Sequence, residues 1–192
     1  MTKRMKILAL DTASYNTGWA MYHNGKITDS GTITLKGNGE TNTEKTNERL
    51  RQLFTKLGNL ISKHKITQLV AEDIFKDKDP SKKSAFKVLG FCRGVLESLG
   101  ELYQLPPTKY LNPLIVKREI WGYNGVLWVH RKLSSEQQKE RMIKAVEGLG
   151  YQLKTNRNGK KSQDQADAIG ILITYLKLKH LPVIHPNQNK ER

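Results

Sequence analysis

The sequence has a single cysteine, Cys92, and no long apolar run. One thiol cannot close an internal disulfide or supply the Cys-x-x-Cys pair of a common zinc site, and the histidines are scattered along the chain. No apolar stretch approaches the ~20 residues that a transmembrane helix needs. The apolar segment Ile7–Leu10 is too short for the core of a secretory signal. We therefore expect a cytoplasmic protein with no membrane contact.

Acidic residues are also in the minority. The chain has 18 aspartates and glutamates against 33 lysines and arginines, which gives a net charge of +15 at pH 7. Lysine and arginine that bind phosphates release condensed counterions, so this excess favours a polyanionic partner. DNA, RNA, ribosomes and anionic lipid all meet that condition. The charge therefore indicates a class of partner and not an activity.

The order of the sequence patterns predicts an α/β protein. Three antiparallel strands come first, and the second and third are joined by a turn at Asn24-Gly25. A loop over 36–43, a helix, and a strand over Ile66–Ile74 follow, and then helices with one short fifth strand continue to about Leu178. We expect a mixed sheet of about five strands flanked by helices.

The length favours one domain, which we place at residues 1–180 with a frayed tail over 181–192. Two parallel strands joined by a helix make a right-handed crossover, so the strand over Ile66–Ile74 is expected beside the first strand. That arrangement brings Glu72 next to Asp11. In open sheets of this kind, ligand sites lie at the carboxyl ends of the strands.

Two acids lie on strands that are otherwise apolar. Asp11 follows the buried segment Ile7–Leu10, where an isolated carboxylate costs desolvation energy. Glu72 alternates with Val70 and Ile74, so one face of that strand carries an acid. The alternatives are a turn or cap role for Asp11, and for Glu72 an edge strand with a solvated acidic end.

Two further acids, Asp164 and Asp167, lie one turn apart on the last helix, with roughly 5–6 Å between their Cβ atoms. Asp164 would also suit the helix dipole, whereas Asp167 continues an apolar stripe toward the core. Four converging carboxylates need a divalent counter-ion, and oxygen ligands select Mg²⁺ or Mn²⁺. Two such ions about 3.5–4 Å apart can drive phosphodiester hydrolysis.

Five segments in this order resemble the RuvC family of Holliday-junction resolvases. The resemblance runs from about residue 5 to 178, and the segments are Leu8–Trp19, Ala71–Phe75, Leu89–Val95, Val116–Lys117 and Asp164–Ala168. It implies an RNase H-like fold and a homodimer that resolves four-way and related branched DNA junctions by symmetric paired nicks. It also implies two Mg²⁺ ions per active site, with Mn²⁺ able to substitute, and no small-molecule cofactor.

The resemblance assigns roles to particular residues. It makes Asp11, Glu72, Asp164 and Asp167 the metal-binding catalytic acids and places Lys117 near the scissile phosphate. Phe75 falls where an aromatic residue stacks on junction DNA, and Gly90 and Gly94 fall on a helix near which the family dimerises. A core aromatic at position 75 and a solvated helix lysine at position 117 are the alternatives. The other residues expected to bind DNA are Lys76, Lys78, Lys82, Lys83, Arg93, Lys109, Arg118, Arg131, Lys132 and Lys139.

The chain departs from the bacterial pattern in three places, which indicates a phage-type branch of the family. Thr12-Ala13 replaces the usual Pro-Gly after the first acid, and the segment over 121–132 is longer than expected. A second lysine expected in the next helix has three candidates: Arg131, Lys132 and Lys139.

Three other functions compete with this interpretation. The segment Asp11–Ser14 followed by Thr17-Gly18 also resembles the first phosphate loop of actin-like sugar kinases, but that class needs a second homologous half that 192 residues do not contain. A nuclease for RNA–DNA hybrids would use the same acids. A non-catalytic nucleic-acid-binding dimer would keep the basic surface without needing them.

Overall fold

A computed structural model describes residues 5–74, 83–122, 133–155 and 159–186. The strands in these ranges are β1 (Lys6–Thr12), β2 (Asn16–His23), β3 (Lys26–Thr34), β4 (Gln68–Glu72) and β5 (Lys109–Leu111). The helices are α1 (Asn42–His64), α2 (Lys83–Leu102), α3 (Pro113–Trp121), α4 (Ser135–Gly148) and α5 (Gln163–Leu178).

The strands form one mixed sheet in the order β3-β2-β1-β4-β5. Strands β1, β2 and β3 pair antiparallel, whereas β4 is parallel to β1 and β5 is parallel to β4. Helix α1 connects β3 to β4. Because β4 pairs with β1, the predicted placement of β4 beside β1 is confirmed. The predicted mixed sheet with flanking helices is confirmed as well.

Each face of the sheet is covered by helices, because successive residues of a strand point to opposite faces. On one face, Ile7, Ala9 and Val70 pack with the apolar residues of α5 and with parts of α3 and α4. On the other face, Leu8 and Leu10 pack with residues of α1 and α2. Asp11 continues the alternation of Ile7 and Ala9, which directs it to the α5 side of the sheet.

Two element boundaries differ from the sequence prediction. Helix α1 begins at Asn42, inside the predicted loop, because Thr41 and Glu44 form a reciprocal capping box that starts the helix before its first buried apolar residue. Strand β4 is shorter than predicted. Its expected first residue, Ile66, instead donates its backbone N–H to Ile61 in the C-terminal turn of α1.

Residues 181–186 begin the segment that was predicted to be a frayed tail, and in the structure they contact the rest of the domain. Leu181 and Val183 pack against the core on the α5 side, and Ile184 donates its backbone N–H to the carbonyl of Gly25 at 2.8 Å. The hydroxyl of Tyr22 donates to Pro182 O at 3.0 Å. Among the described helices, none is long and apolar enough to cross a membrane.

Candidate active site

The first two acids are brought together by strand pairing. Leu10 pairs with Ala71 across the parallel β1–β4 ladder, so Asp11 and Glu72 lie at neighbouring strand ends. Glu72 has the same parity in β4 as Val70, which packs on the α5 side, and Asp11 has the same parity as Ala9. Both carboxylates therefore lie at one edge of the sheet and on one face.

The other two acids arrive on the N-terminal half of α5. Ser162 caps this helix by accepting from the Gln165 backbone N–H, which places Asp164 in its first turn. The helix start lies directly against β2, because a Cβ atom on Gly18 would overlap the backbone carbonyl of Asp164. Gly18 pairs with Asp11 across the β1–β2 ladder. The absence of a side chain at Gly18 thus lets α5 approach the strand that carries the first acid.

The four acids are close enough to repel one another. Burial raises the pKa of Asp11 well above its usual range, and the negative charges of Asp167, Glu72 and Asp164 raise it further. Burial, and then the charge of Asp167, raises the pKa of Glu72 to about 7. Burial likewise raises the pKa of Asp167 to about 6, although a 3.0 Å hydrogen bond from Gln163 Nε2 opposes that shift.

Two lysines face this acidic cluster. The charge of Lys117, on α3, lowers the pKa values of Glu72 and Asp167, and that of Lys139, on α4, lowers those of Asp164 and Asp167. The Lys117 Nζ also donates to Gln138 Oε1 of α4 at 3.1 Å. Of the three candidates for a second lysine, Lys139 is the one that the structure brings to the acids, while Arg131 and Lys132 lie outside the described residues.

The acid cluster fits a divalent cation by its chemistry and its electrostatics. Carboxylate oxygens are the ligands that Mg²⁺ and Mn²⁺ prefer, and a cation would offset the repulsion that raises these pKa values. Within the described residues, no three His, Cys, Asp or Glu side chains converge tightly enough to hold a metal ion as they stand. The fit to a cation therefore depends on the residue types and on their shared edge of the sheet, and not on a preformed coordination geometry.

A groove of about 950 Å³ lies beside Asp164. Its floor includes Asn16, Thr32 and Thr34 of β2 and β3, and its walls come from α4 and from the segment before α5. Asp164 lines both the groove and the acid cluster. The lysines of its walls are Lys139, Lys144, Lys154, Lys160 and Lys161, of which Lys144 pairs with Glu140 at 2.7 Å and Lys161 with Glu147 at 3.0 Å.

The other residues predicted to bind DNA either make contacts of their own or lie outside the described residues. Arg93 donates to Asp73 Oδ1 at 3.0 Å and stacks over the Tyr110 ring at 3.9 Å, on the opposite face of the sheet from Glu72. Arg118 pairs with Glu119, and Lys109 is exposed on β5. Lys83 is the first residue of α2. Phe75, Lys76, Lys78 and Lys82 lie outside the described residues.

The two glycines predicted at a dimer interface lie on exposed positions of α2. A Cβ atom built on Gly90 or Gly94 meets nothing within 4 Å. The close helix approach expected to compensate these glycines is therefore not made within the described part of this chain. Phe86 and Phe91, on the same helix, are 43% and 45% exposed.

Sequence reasoning missed the contributions of Gly18 and Gln163. A glycine inside a predicted strand was the available signal for Gly18, because such glycines mark places where another backbone approaches closely. Gln163 gave no signal, since its bond to Asp167 depends on side-chain orientation within α5.

A mixed sheet of five strands whose first three strands are antiparallel, with helices on both faces, defines an RNase H-like fold. Comparison with known proteins narrows this class. The family model for crossover junction endodeoxyribonuclease RuvC matches residues 7–175, and the chain belongs to the RuvC family.

Two curated relatives and one solved structure illustrate the similarity. The RuvC of Wolbachia pipientis wMel is 32% identical over 124 residues, which cover 63% of this chain and 72% of the relative. The RuvC of Sulfurovum sp. is 27% identical over 181 residues, which cover 90% of this chain and 95% of the relative. The structure of T. thermophilus RuvC in complex with Holliday junction substrate has a TM-score of 0.63 at 13% identity and covers 92% of this chain and 96% of that one. The phage-type assignment stays a prediction.

Proposed function

We propose that this protein is a metal-dependent endodeoxyribonuclease that resolves four-way and related branched DNA junctions by symmetric paired nicks. The observation that carries the proposal is the convergence of Asp11, Glu72, Asp164 and Asp167 at one sheet edge, where burial and then the charges of neighbouring acids raise the pKa values of Asp11, Glu72 and Asp167. Membership of the RuvC family supports the junction as substrate. We expect this activity in the cytoplasm of a bacterium or of a phage-infected cell.

The acids would hold two Mg²⁺ ions, with Mn²⁺ able to replace them. Such ions, when bound, lower the pKa of water and stabilise negative charge on phosphate oxygens. The part of the protein is to fix the four carboxylates: β1 and β4 hold Asp11 and Glu72 in register, and the Gly18 contact sets the position of Asp164. Gln163 orients Asp167 through its 3.0 Å hydrogen bond.

Lys117 and Lys139 would act on the phosphate that is cut. Hydrolysis adds a water oxygen to phosphorus and breaks one P–O bond, and negative charge accumulates on the phosphate oxygens as it proceeds. Both lysines lie close enough to the acids to affect their pKa values, so their ammonium groups can neutralise that charge. The groove beside Asp164 has room for the strand that leads to this phosphate.

A homodimer would supply the two cuts. Two nicks at symmetric positions need two active sites related by a two-fold axis. The exposed surface of α2 formed by Phe86, Gly90, Phe91 and Gly94 offers apolar rings beside positions without side chains. We propose that a second copy of the chain packs on this α2 face.

A substrate panel tests the function. Purified protein with Mg²⁺ is expected to nick a synthetic four-way DNA junction and to leave linear duplex and RNA–DNA hybrid largely intact. Asp11→Asn should keep junction binding, measured by gel shift in EDTA, and should lose cutting, because the donor set loses one charge while the surface is unchanged.

Three results would contradict the proposal. Unchanged cutting by Asp11→Asn would remove the acid cluster from the mechanism. Nicking of the hybrid with no preference for the junction would favour the hybrid nuclease instead, and binding of junctions without any cutting under Mg²⁺ or Mn²⁺ would favour the non-catalytic dimer.

A further inference from the structure

An exposed aromatic ring lies at the same edge of the sheet as the acids and has no part in the site described above. Tyr15 is 62% exposed and belongs to the short connection between β1 and β2. Its backbone is held in place, because its carbonyl accepts from the Leu35 N–H at 2.7 Å and so extends the β2–β3 ladder by one residue. The ring is therefore presented to solvent from a fixed backbone.

The Tyr15 ring is backed by a buried arginine. The Arg49 guanidinium carbon lies 4.1 Å from the ring centroid, and Arg49, on α1, is only 9% exposed. Its Nη2 donates to Thr46 Oγ1 at 3.1 Å, but its buried Nε has no hydrogen-bond partner among the described residues. Among the described residues no carboxylate forms an ion pair with Arg49, so the Tyr15 ring is the main group that faces its charge.

This arrangement costs free energy unless something else uses it. A buried cation without an anionic partner is unfavourable, and the face of the Tyr15 ring that is exposed to water contributes nothing to folding. A ring backed by a guanidinium is, however, a suitable surface for a nucleobase, because bases stack on aromatic rings and an adjacent cation strengthens such stacks. The approach of a DNA phosphate would also offset the charge of Arg49.

The position relative to the acids fits the path of a cut strand. Gly18 pairs with Asp11, and Tyr15 lies three residues before Gly18 in the chain, roughly 10 Å further along the strand direction. Tyr15 points to the α1 side of the sheet, whereas the neighbouring Asn16 lines the groove on the α5 side next to Asp164. A strand that leaves the groove would cross the sheet edge at Asn16 and reach Tyr15.

We propose that the Tyr15–Arg49 pair is a stacking platform for an unpaired nucleobase next to the cut phosphate. The inference depends on the proposed nuclease function and adds a source of selectivity to it. In linear duplex every base is stacked and paired, so few bases are available to this ring. At a branch point a base can leave its stack at a lower cost, and the platform then favours branched over linear DNA.

The test measures binding separately from cutting. Four-way junctions that carry the fluorescent base 2-aminopurine on either side of the mapped cut are titrated with protein in EDTA. Wild-type protein is expected to change the fluorescence of one of these bases, because stacking on Tyr15 moves it out of the DNA stack. Tyr15→Ala should lose that change and bind the junction about 5- to 150-fold more weakly, the range found for one base–aromatic stack.

Matched variants control for folding and for general loss of surface. Tyr15→Phe keeps the ring and should behave like the wild type, and Tyr15→Leu keeps an apolar contact with Arg49 but should bind like Tyr15→Ala. Phe54→Ala removes another exposed aromatic ring from α1 and should change nothing. Thermal unfolding confirms that each variant is folded. Duplex affinity should be the same for all of them.

The outcomes separate this inference from the proposed function. If wild-type protein cuts junctions but Tyr15→Ala and Tyr15→Leu bind them as tightly as the wild type, the platform is wrong and the function stands. If the Tyr15 variants bound junction and duplex more weakly by the same factor, the platform would also be wrong, since Tyr15 would then contact DNA of any structure. If wild-type protein does not cut the junction at all, the proposed function fails independently of these variants.

Discussion

Burial raises the pKa values of Asp11, Glu72, Asp164 and Asp167, and the charges of neighbouring acids raise those of Asp11, Glu72 and Asp167 further, so the fold gathers these acids against an energetic cost. Their positions depend on one residue without a side chain. Gly18 lies between β1 and the start of α5, and a Cβ atom there would overlap the Asp164 carbonyl and lie 3.1 Å from the Asp164 Cα. Backbone atoms cannot rotate away as a side chain can.

Gly18→Ala is therefore expected to displace the start of α5 and to separate Asp164 from Asp11. Such overpacking costs ~1–3 kcal/mol of stability, and a displacement of about 1 Å at reacting groups can slow a reaction on the order of 100-fold. Single-turnover cutting rates and thermal unfolding measure the two effects. The control is Gly170→Ala on the same helix, where a Cβ would meet the flexible Met142 side chain at 3.2 Å and cutting should persist.

A Gly18→Ala protein that cuts junctions at the wild-type rate would contradict this account of how Asp164 is positioned. Equal loss of cutting in both glycine variants would point instead to general sensitivity of α5.

At the scale of helices and strands, the capping and turn chemistry sets where each element begins. The box between Thr41 and Glu44 starts α1 eight residues before Leu50, and this early start brings Arg49 into helical conformation beneath Tyr15. Hydrophobic periodicity alone detects only the part of a helix that packs on the core. The polar first turns of α1 were for this reason missed.

Substitution of the two glycines on α2 tests whether its exposed face is open to solvent or is covered by a second copy of the chain, because the two cases predict opposite effects on stability. Glycine inside a helix costs about 1 kcal/mol relative to alanine, so Gly90→Ala with Gly94→Ala should stabilise α2 if this face is open to solvent. If a second copy packs there closely, the added methyl groups should weaken the dimer. We expect weaker dimerisation, seen by analytical ultracentrifugation as a raised dissociation constant, and loss of paired but not of single nicks.

A dimer of unchanged strength together with a higher melting temperature would contradict the placement of the interface on this α2 face. The four acids lie on other elements, so cutting of one strand serves as the internal control for the integrity of the proposed site.

At the scale of the whole molecule, the net charge of +15 conceals an acidic centre. The pKa of Glu72 is about 7 in the folded protein against 4.5 for an ordinary glutamate. The folded state therefore binds more protons than the unfolded state between these two values. The free energy of unfolding must then fall as pH rises through this window, by an amount on the order of 3 kcal/mol from Glu72.

In EDTA, wild-type protein should thus lose more stability between pH 5 and pH 8 than Glu72→Gln, which cannot ionise there. Urea unfolding at both pH values measures the difference. Mg²⁺ or Mn²⁺ should restore stability to the wild type at pH 8, since a bound cation offsets the carboxylate charges. If the stability of both proteins depended on pH in the same way, the pKa of Glu72 would not be raised in the folded protein.

The sequence by itself determined the order of the elements, the mixed sheet and the candidate acids. Turn residues, hydrophobic period and capping residues act over a few positions, so a local pattern is enough to predict a strand that ends at Asp11 or a helix that carries Asp164 and Asp167. The right-handed crossover rule added one long-range fact, the place of β4 beside β1, and it was confirmed.

Only the tertiary structure decided which distant side chains meet. It brought Lys139 to the acids, paired Arg93 with Asp73 on the other face of the sheet, and set Tyr15 over Arg49. These contacts join residues that are 20 to 34 positions apart in the chain, and they depend on helix rotation and side-chain direction. No periodic pattern encodes those quantities, because they follow from how the two faces of the sheet pack against their helices.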